Sequence, residues 1–154
     1  GTIADNLRQG KLNASLPEME RAARIAQASE FISRMEESFD SAVEERGSNF
    51  SGGQKQRMSI ARGVVNNPNI LILDDSTSAL DYLTEARLLK SIKEELSDTS
   101  FILVSQRTNS LKSADQILVL NKGHQVGLGN HDFLLSTNEI YQEIHESQHG
   151  REEA

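Results

Sequence analysis

The 154-residue sequence contains no cysteine and no tryptophan, and only two of its residues are proline. A chain without cysteine forms neither disulfide bonds nor thiolate metal sites, and this composition fits a reducing compartment. No apolar run is long enough to cross a bilayer, and the first residues lack the secretory pattern of a basic segment followed by an apolar one. If the chain works at a membrane, we therefore expect another segment or subunit to anchor it.

Basic residues are also in short supply. The chain has 16 Lys and Arg against 23 Asp and Glu, which gives a formal net charge of -7. Because binding to a nucleic-acid backbone needs clustered Lys and Arg in excess, this balance argues against a nucleic-acid partner. It leaves open a local phosphate site made of backbone amides. The length itself predicts one soluble domain with a substantial core.

The first half of the sequence has the spacing of helices. Ser15-Leu16-Pro17-Glu18 is typical of a helix start, and "PEMERAARIAQA" continues it with apolar residues at helical intervals. A second short helix is predicted from Ser29, followed by a loop around "SAVEERGSN". "SGGQKQRMSIARGVV" then begins with a capping-box pattern, in which Ser51 caps the helix and Gln54 reaches back. This helix should end before Asn66-Asn67-Pro68.

The second half of the sequence predicts strands alternating with helices. Ile70 to Leu73 is a continuous aliphatic run, which favours a strand buried on both faces of a parallel sheet. A helix from about Leu83 to Leu96 follows, with a core stripe that we assign to Leu89, Ile92 and Leu96. Phe101 to Ser105 is the next predicted strand, and the helix-length crossover implies that the two strands are parallel.

The last third of the sequence predicts a hairpin and a terminal helix. "QILVLNKGHQVGLG" has the pattern of two short strands with a turn at Asn121-Lys122-Gly123. An amphipathic helix is predicted from Asp132 to about Ser147, and "REEA" at the end is expected to be frayed.

Four short segments carry residue types suited to phosphate chemistry. "SGGQ" places two glycines at a helix N-terminus, where free amides attract phosphate, although a simple capped helix explains the same letters. Asp74 ends a strand and suits Mg²⁺, and Asp75 could orient or deprotonate a water; equally, paired acids simply mark a strand end. Asp81 is placed to cap the next helix, and Gln106 follows the second strand; structural explanations suffice for each alone.

Taken together, these segments resemble a known family. "GSNFSGGQKQRMSIARGVVNNPNILILDDSTSALD" closely resembles the signature motif, Walker B strand and D-loop of ABC transporter nucleotide-binding domains in order, spacing and residue type. "GTIADNLRQG" resembles the segment after the Q-loop of ABC exporters, "AVEERGSN" their X-loop, and "GHQVGLGNHDFLL" with "IYQEIHESQ" their C-terminal end. The likeness covers essentially the entire chain and favours the exporter branch, in which this domain normally follows a membrane domain on the same polypeptide.

The resemblance implies a fold and its divisions. The expected class is α/β, a partial RecA-like P-loop NTPase core with the ABC α-helical subdomain. Residues 1–66 would form the helical subdomain with the X-loop, signature motif and signature helix. Residues 67–154 would form the C-terminal half of the core, with Walker B, D-loop, H-loop position, hairpin and last helix.

The resemblance also implies cofactors, partners and site residues. ATP and Mg²⁺ are the expected cofactors. The expected partners are a second nucleotide-binding domain, packed head to tail, and the transporter's transmembrane domains, at the cytoplasmic face of the cell membrane. Each ATP then lies between one domain's Walker B and the other's signature. The implied residues are the signature Ser51, Gly52, Gly53 and Gln54, the D-loop residues Ser78 and Asp81, the metal ligand Asp74, and the catalytic positions Asp75 and Gln106.

The sequence departs from the family pattern in several places. It contains no G-x-x-x-x-G-K-[ST] phosphate loop, so we interpret it as a C-terminal portion that binds ATP poorly alone and exposes a sheet edge and apolar faces. Asp75 replaces the usual glutamate, Gln106 the usual H-loop histidine, and Phe50 the usual leucine. We expect a slowly hydrolysing site of its own, and a signature that completes a competent site on a different partner.

Two rival functions belong to other classes. A chromosome-maintenance or DNA-repair ATPase also carries a signature and Walker B, but a long coiled coil interrupts such domains; DNA-stimulated ATPase activity would favour it. A non-enzymatic interaction fragment would retain the motifs as relics. Nucleotide titration with and without the complementary half of the domain distinguishes this second rival.

Overall fold

The computed structural model describes residues 1–149, and the predicted fraying of "REEA" lies outside the described residues. The chain divides into two compact units, Gly1–Val104 and a second that begins at Ser105. This division follows internal packing and does not test the predicted boundary between residues 66 and 67. Within the described range, no helix combines the length and the apolar character needed to cross a membrane.

The first unit is mainly helical and contains one pair of strands. The loop predicted around "SAVEERGSN" contains a 3-10 turn, in which Arg46 and Gly47 adopt φ values of 56° and 64°. In chain order the elements are α1 (Ile3–Arg8), α2 (Leu16–Ile25), α3 (Ser29–Ser33), 3-10 turns at Ser38–Asp40 and Glu45–Gly47, α4 (Gly52–Val64), β1 (Ile70–Asp74), α5 (Tyr82–Glu95) and β2 (Ser100–Val104).

The two strands of the first unit are parallel, as predicted, in register from Ile70↔Ser100 to Asp74↔Val104. The prediction that β1 is buried on both faces is wrong. Leu71 and Leu73 are buried, but Ile70 is 61% and Ile72 60% exposed. The reason is the two-residue alternation of a strand: α4 packs on β1, and the face that carries Ile70 and Ile72 stays largely exposed. The expected exposure of apolar sheet faces is confirmed.

Helix α5 forms where predicted, but its core stripe is shifted by one residue. Leu88 is fully buried and lies on one face with Ile92 and Leu96, whereas Leu89 is only half-buried. Steps of four residues keep side chains on the same side of a helix, and Leu89 lies about 100° away from Leu88. The same buried face carries Glu85, a polar residue that the apolar pattern did not predict.

The second unit is built on the predicted hairpin. Lys122 and Gly123 occupy the turn with φ values of 49° and 80°, the left-handed geometry that a two-residue hairpin turn requires. The elements are α6 (Thr108–Leu111), β3 (Ile117–Asn121), β4 (His124–Gly129), α7 (His131–Thr137) and α8 (Glu139–His149), with β3 and β4 antiparallel.

The single helix predicted from Asp132 to Ser147 is wrong, because two helices occur. Asn138 separates α7 from α8 with an extended backbone. Its Nδ2 donates to the carbonyl of Val126 at 2.9 Å, and its Oδ1 accepts from the N–H of Tyr141 at 2.9 Å. An asparagine side chain that bonds the backbone in this way competes with a continuous helix.

Gly10 allows the end of α1 to approach α4 closely. A Cβ atom at this position would lie 2.0 Å from the carbonyl oxygen of Arg62 and 2.8 Å from Cγ1 of Val65. A backbone oxygen at that distance moves only if a helix moves. The packing of α1 on the signature helix therefore depends on the missing side chain.

Gly10→Ala should lower the free energy of unfolding by about 1–3 kcal/mol, because the added methyl overpacks the α1–α4 contact. Urea unfolding followed by circular dichroism measures this. Gly63→Ala is the matched control: its Cβ would meet only Cδ1 of Leu71 at 3.5 Å. Alanine is favoured over glycine inside a helix, so this control should be neutral or stabilising by up to about 1 kcal/mol. Equal unfolding curves for the two variants would contradict the overpacking.

Candidate functional site

The start of α4 has the predicted capping box. Oγ of Ser51 accepts from the N–H of Gln54 at 3.2 Å, and Oε1 of Gln54 accepts from the N–H of Ser51 at 2.8 Å. Gly52 and Gly53 form the first turn, where N–H groups have no carbonyl within the helix to bond. These amides and the positive end of the helix dipole suit an anionic ligand.

A cleft of about 370 Å³ opens beside the first turn of α4. It brings three of the four predicted signature residues, without Gln54, and the predicted D-loop residue Asp81 into one concave surface. Its lining residues are Ser51, Gly52, Gly53, Arg57, Ala79, Leu80, Asp81 and Thr84. Backbone amides, one cation and one anion therefore surround the same space.

The side chain of Arg57 attaches the start of α4 to the helical segment that precedes it in the chain. Its Nη1 donates to the carbonyl of Gln27 at 2.7 Å, and its guanidinium carbon lies 4.9 Å from the ring centroid of Phe31. Burial lowers the pKa of Arg57. Phe31 also contacts Phe50 edge to face at 5.8 Å, so the residue that departs from the usual leucine belongs to an aromatic cluster under the signature.

Asp74 is the last residue of β1 and Asp75 follows it directly, and both side chains are exposed. Asp75 adopts a φ of 49°, a left-handed conformation that Asp tolerates better than most residues, and its N–H donates to the carbonyl of Val104 at 3.1 Å. The described residues contain no group of three or more His, Cys, Asp or Glu side chains that could hold a metal. A lone carboxylate still fits Mg²⁺, which retains water and phosphate ligands.

Gln56 ties α4 to the turn that follows β1, and sequence reasoning missed it. Its Nε2 donates to the carbonyl of Asp75 at 3.3 Å and to Oγ of Ser78 at 3.0 Å. Its Oε1 accepts from the N–H of Ala79 at 2.9 Å. These partners are 19 to 23 residues away in the sequence, so no local spacing rule predicts the contacts.

Asp81 is the N-cap of α5, as its position before a helix indicated. Its Oδ1 accepts from the N–H of Thr84 at 2.8 Å, and its Oδ2 accepts from the hydroxyl of Thr84 at 2.7 Å. These two bonds, the hydroxyl first, hold the pKa of Asp81 below its usual range. This carboxylate therefore has a structural role as the cap of α5.

A buried hydrogen bond fixes the segment between the end of β1 and Ser78, the first of the two predicted D-loop residues. The hydroxyl of Thr77, which is 3% exposed, donates to the carboxylate of Glu85, which is 2% exposed, at 2.5 Å. Thr77 thereby attaches the turn after β1 to the first turns of α5. Sequence reasoning missed this pair, because an acid on the buried face of a helix has no periodic signal.

Gln106 belongs to the second unit, whereas the other predicted site residues belong to the first, and its side chain is exposed. Its backbone carbonyl accepts from Nε2 of Gln148 on α8. Gln148 also accepts from the N–H of Thr108 at 3.0 Å, and the Thr108 hydroxyl lies 2.7 Å from Nδ1 of His145. The last helix thus fixes the backbone that presents Gln106.

Thr77→Val should lower the free energy of unfolding by about 1.5–3 kcal/mol, because it leaves the buried Glu85 carboxylate without its hydroxyl donor. Valine preserves the branched shape, so the loss reports the hydrogen bond. Thr137→Val is the control: this exposed hydroxyl donates to the carbonyl of Phe133, and its removal should change stability by less than about 0.5 kcal/mol. Denaturant unfolding compares them; an unaffected Thr77→Val protein would refute the role of the pair.

Comparison with known proteins places this geometry in context. A family model described as "ABC transporter" matches residues 2–78. The uncharacterized ABC transporter ATP-binding protein YfiB of Bacillus subtilis (strain 168) is 47% identical over 152 residues, which cover 99% of this chain and 26% of YfiB. The mitochondrial iron-sulfur clusters transporter ABCB7 of Danio rerio is 40% identical over 151 residues, covering 97% of this chain and 20% of that protein.

A solved structure gives the same result for the fold. A bacterial Atm1-family ABC exporter with ATP bound is similar with a TM-score of 0.88 and 38% sequence identity, over 93% of this chain and 25% of the exporter chain. The predicted α/β class with a parallel sheet is confirmed. The chain spans about a quarter of the length of YfiB and of the exporter chain.

Proposed function

Because the chain belongs to the ABC transporter family, we propose that it is the C-terminal part of an exporter's nucleotide-binding domain, which couples ATP binding and hydrolysis to transport across a membrane. The domain would lie at the cytoplasmic face, attached through the transporter's membrane domain. The observation that supports this most is the cleft at the start of α4, where free first-turn amides face a capping carboxylate and a cation.

In this proposal the chain contributes to two different ATP sites. Ser51, Gly52 and Gly53 would bind the phosphates of an ATP held by a second nucleotide-binding domain, with Gln54 fixing the cap. Asp74 would belong to the chain's own site. Ser78 and Asp81 would face the partner domain and couple the state of one ATP site to the state of the other. A head-to-tail pair of domains satisfies both assignments.

The acids at the end of β1 would divide the chemistry. When Mg²⁺ is bound, it supplies charge neutralisation for the phosphates, and Asp74 offers the exposed carboxylate that suits it. Asp75 would accept a hydrogen bond from the attacking water and hold its proton. Its side chain is one methylene shorter than glutamate, so it would hold that water less well.

Gln106 would hydrogen-bond a phosphate oxygen at the H-loop position. An amide cannot gain or lose a proton near neutral pH as an imidazole does, so ATP hydrolysis at this site would lack the histidine that can carry a proton. Together with Asp75, it supports a weakened hydrolytic site on this chain. The capped signature, by contrast, is suited to complete a competent site on a different partner, which makes the assembled transporter a heterodimer.

Restoring both departures tests this proposal. Asp75→Glu combined with Gln106→His, made in the complete transporter, should raise ATP turnover about 10-fold or more, because both catalytic groups regain their usual chemistry. Asp75→Asn with unchanged Gln106 is the matched control and should not raise turnover. If the unmodified chain hydrolyses ATP as fast in a homodimer as the restored variant does, the weakened site is wrong.

A further inference from the structure

Gln56 is the side chain that joins the two parts of the chain proposed to serve different ATP sites. It projects from the second turn of α4, five residues after Ser51. Its amide bonds the carbonyl of Asp75, the hydroxyl of Ser78 and the N–H of Ala79 at 3.3, 3.0 and 2.9 Å. All three partners lie in the single turn between β1 and α5.

The chemistry of this contact suits an amide side chain. The carbonyl of Asp75 accepts from this side chain, whereas the N–H of Ala79 donates to it, and a primary amide offers a donor and an acceptor on two neighbouring atoms of one side-chain end. A second close contact lies beside it: a Cβ at Gly53 would be 3.1 Å from the carbonyl oxygen of Ala79. The first turns of α4 therefore have little freedom to slide along the turn.

The backbone at Asp75 gives the contact its importance. With a φ of 49°, this residue is held in a conformation that is uncommon outside glycine. Its N–H donates to the carbonyl of Val104, and its carbonyl accepts from Nε2 of Gln56 at 3.3 Å and from Oγ of Ser78 at 3.1 Å. Of these two donors to the carbonyl only Gln56 lies on α4, so its loss removes the bond between α4 and the residue that carries the proposed catalytic acid.

We propose that Gln56 is a positioning residue that fixes the signature end of α4 to the turn from Asp75 to Ala79. The inference rests on the proposed function, in which these two segments belong to different ATP sites. A displacement of the signature is then transmitted directly to the acid at the end of β1. Gln56 touches protein groups only, and it acts on turnover through them.

Two substitutions in the complete transporter separate hydrogen bonding from packing. Gln56→Met keeps the length of the side chain and removes all three bonds. Gln56→Glu keeps an acceptor for Ala79 but, when ionised, has no donor for Asp75. We expect kcat to fall about 10-fold or more for Gln56→Met and less for Gln56→Glu, while KM for ATP changes by less than about twofold. Gln116→Met, at an exposed glutamine of the second unit, should change neither.

A double-mutant cycle tests the specific contact. Ser78→Ala removes one partner of Gln56 and also the second donor to the carbonyl of Asp75. Because both side chains act on the same turn, the loss of turnover in the double variant should be smaller than the product of the single losses by about threefold or more. Fully multiplicative losses, a KM that rises together with the fall in kcat, or wild-type turnover in Gln56→Met would each overturn the inference. If Ser51→Ala leaves ATP turnover unchanged, the proposed function itself fails, and this role of Gln56 fails with it.

Discussion

The contact between the start of α4 and the turn after β1 is the constraint on which the first unit depends. Gly53 approaches the carbonyl oxygen of Ala79, and Gln56 bonds three groups of the same turn. Because α4 also packs on α1, α2 and β1, the contact fixes the helical segment and the strand pair against each other. Every proposed functional residue of this unit lies within a few residues of that junction.

Charge in this chain is arranged locally. With a net charge of -7, the molecule has no excess of cations to attract phosphate, so a phosphate site has to rely on backbone amides and the helix dipole. Arg57 contributes a cation to the cleft, but its guanidinium is occupied by the carbonyl of Gln27 and the ring of Phe31. Asp81 is likewise occupied by Thr84. Both therefore shape the cleft as well as charge it.

Sequence patterns predicted the features that depend on local chemistry. The capping box at Ser51 and the hairpin turn at Lys122 and Gly123 follow from residues close together in the chain, and the parallel pair of strands follows from the helix-length crossover between them. Two of the features that failed depend on distant partners. The prediction that the second face of β1 is buried failed because an aliphatic run carries no information about what covers it. The break at Asn138 depends on a hydrogen bond to Val126 in the hairpin.

The candidate site shows the same division between local and distant information. Motif spacing located the signature, the two acids of β1 and Gln106, and the resemblance supplied their roles. Gln56 and the buried pair of Thr77 and Glu85 carried no signal, since their importance lies in hydrogen bonds across turns and helices.

A calorimetric titration with Mg-ATP tests whether this chain supplies only part of an ATP site. The chain is titrated alone and joined to the portion of the domain that carries a phosphate loop. We expect no saturable binding by the chain alone up to about 1 mM and clear binding by the joined domain. Binding by the chain alone as tight as by the complete domain would contradict this expectation.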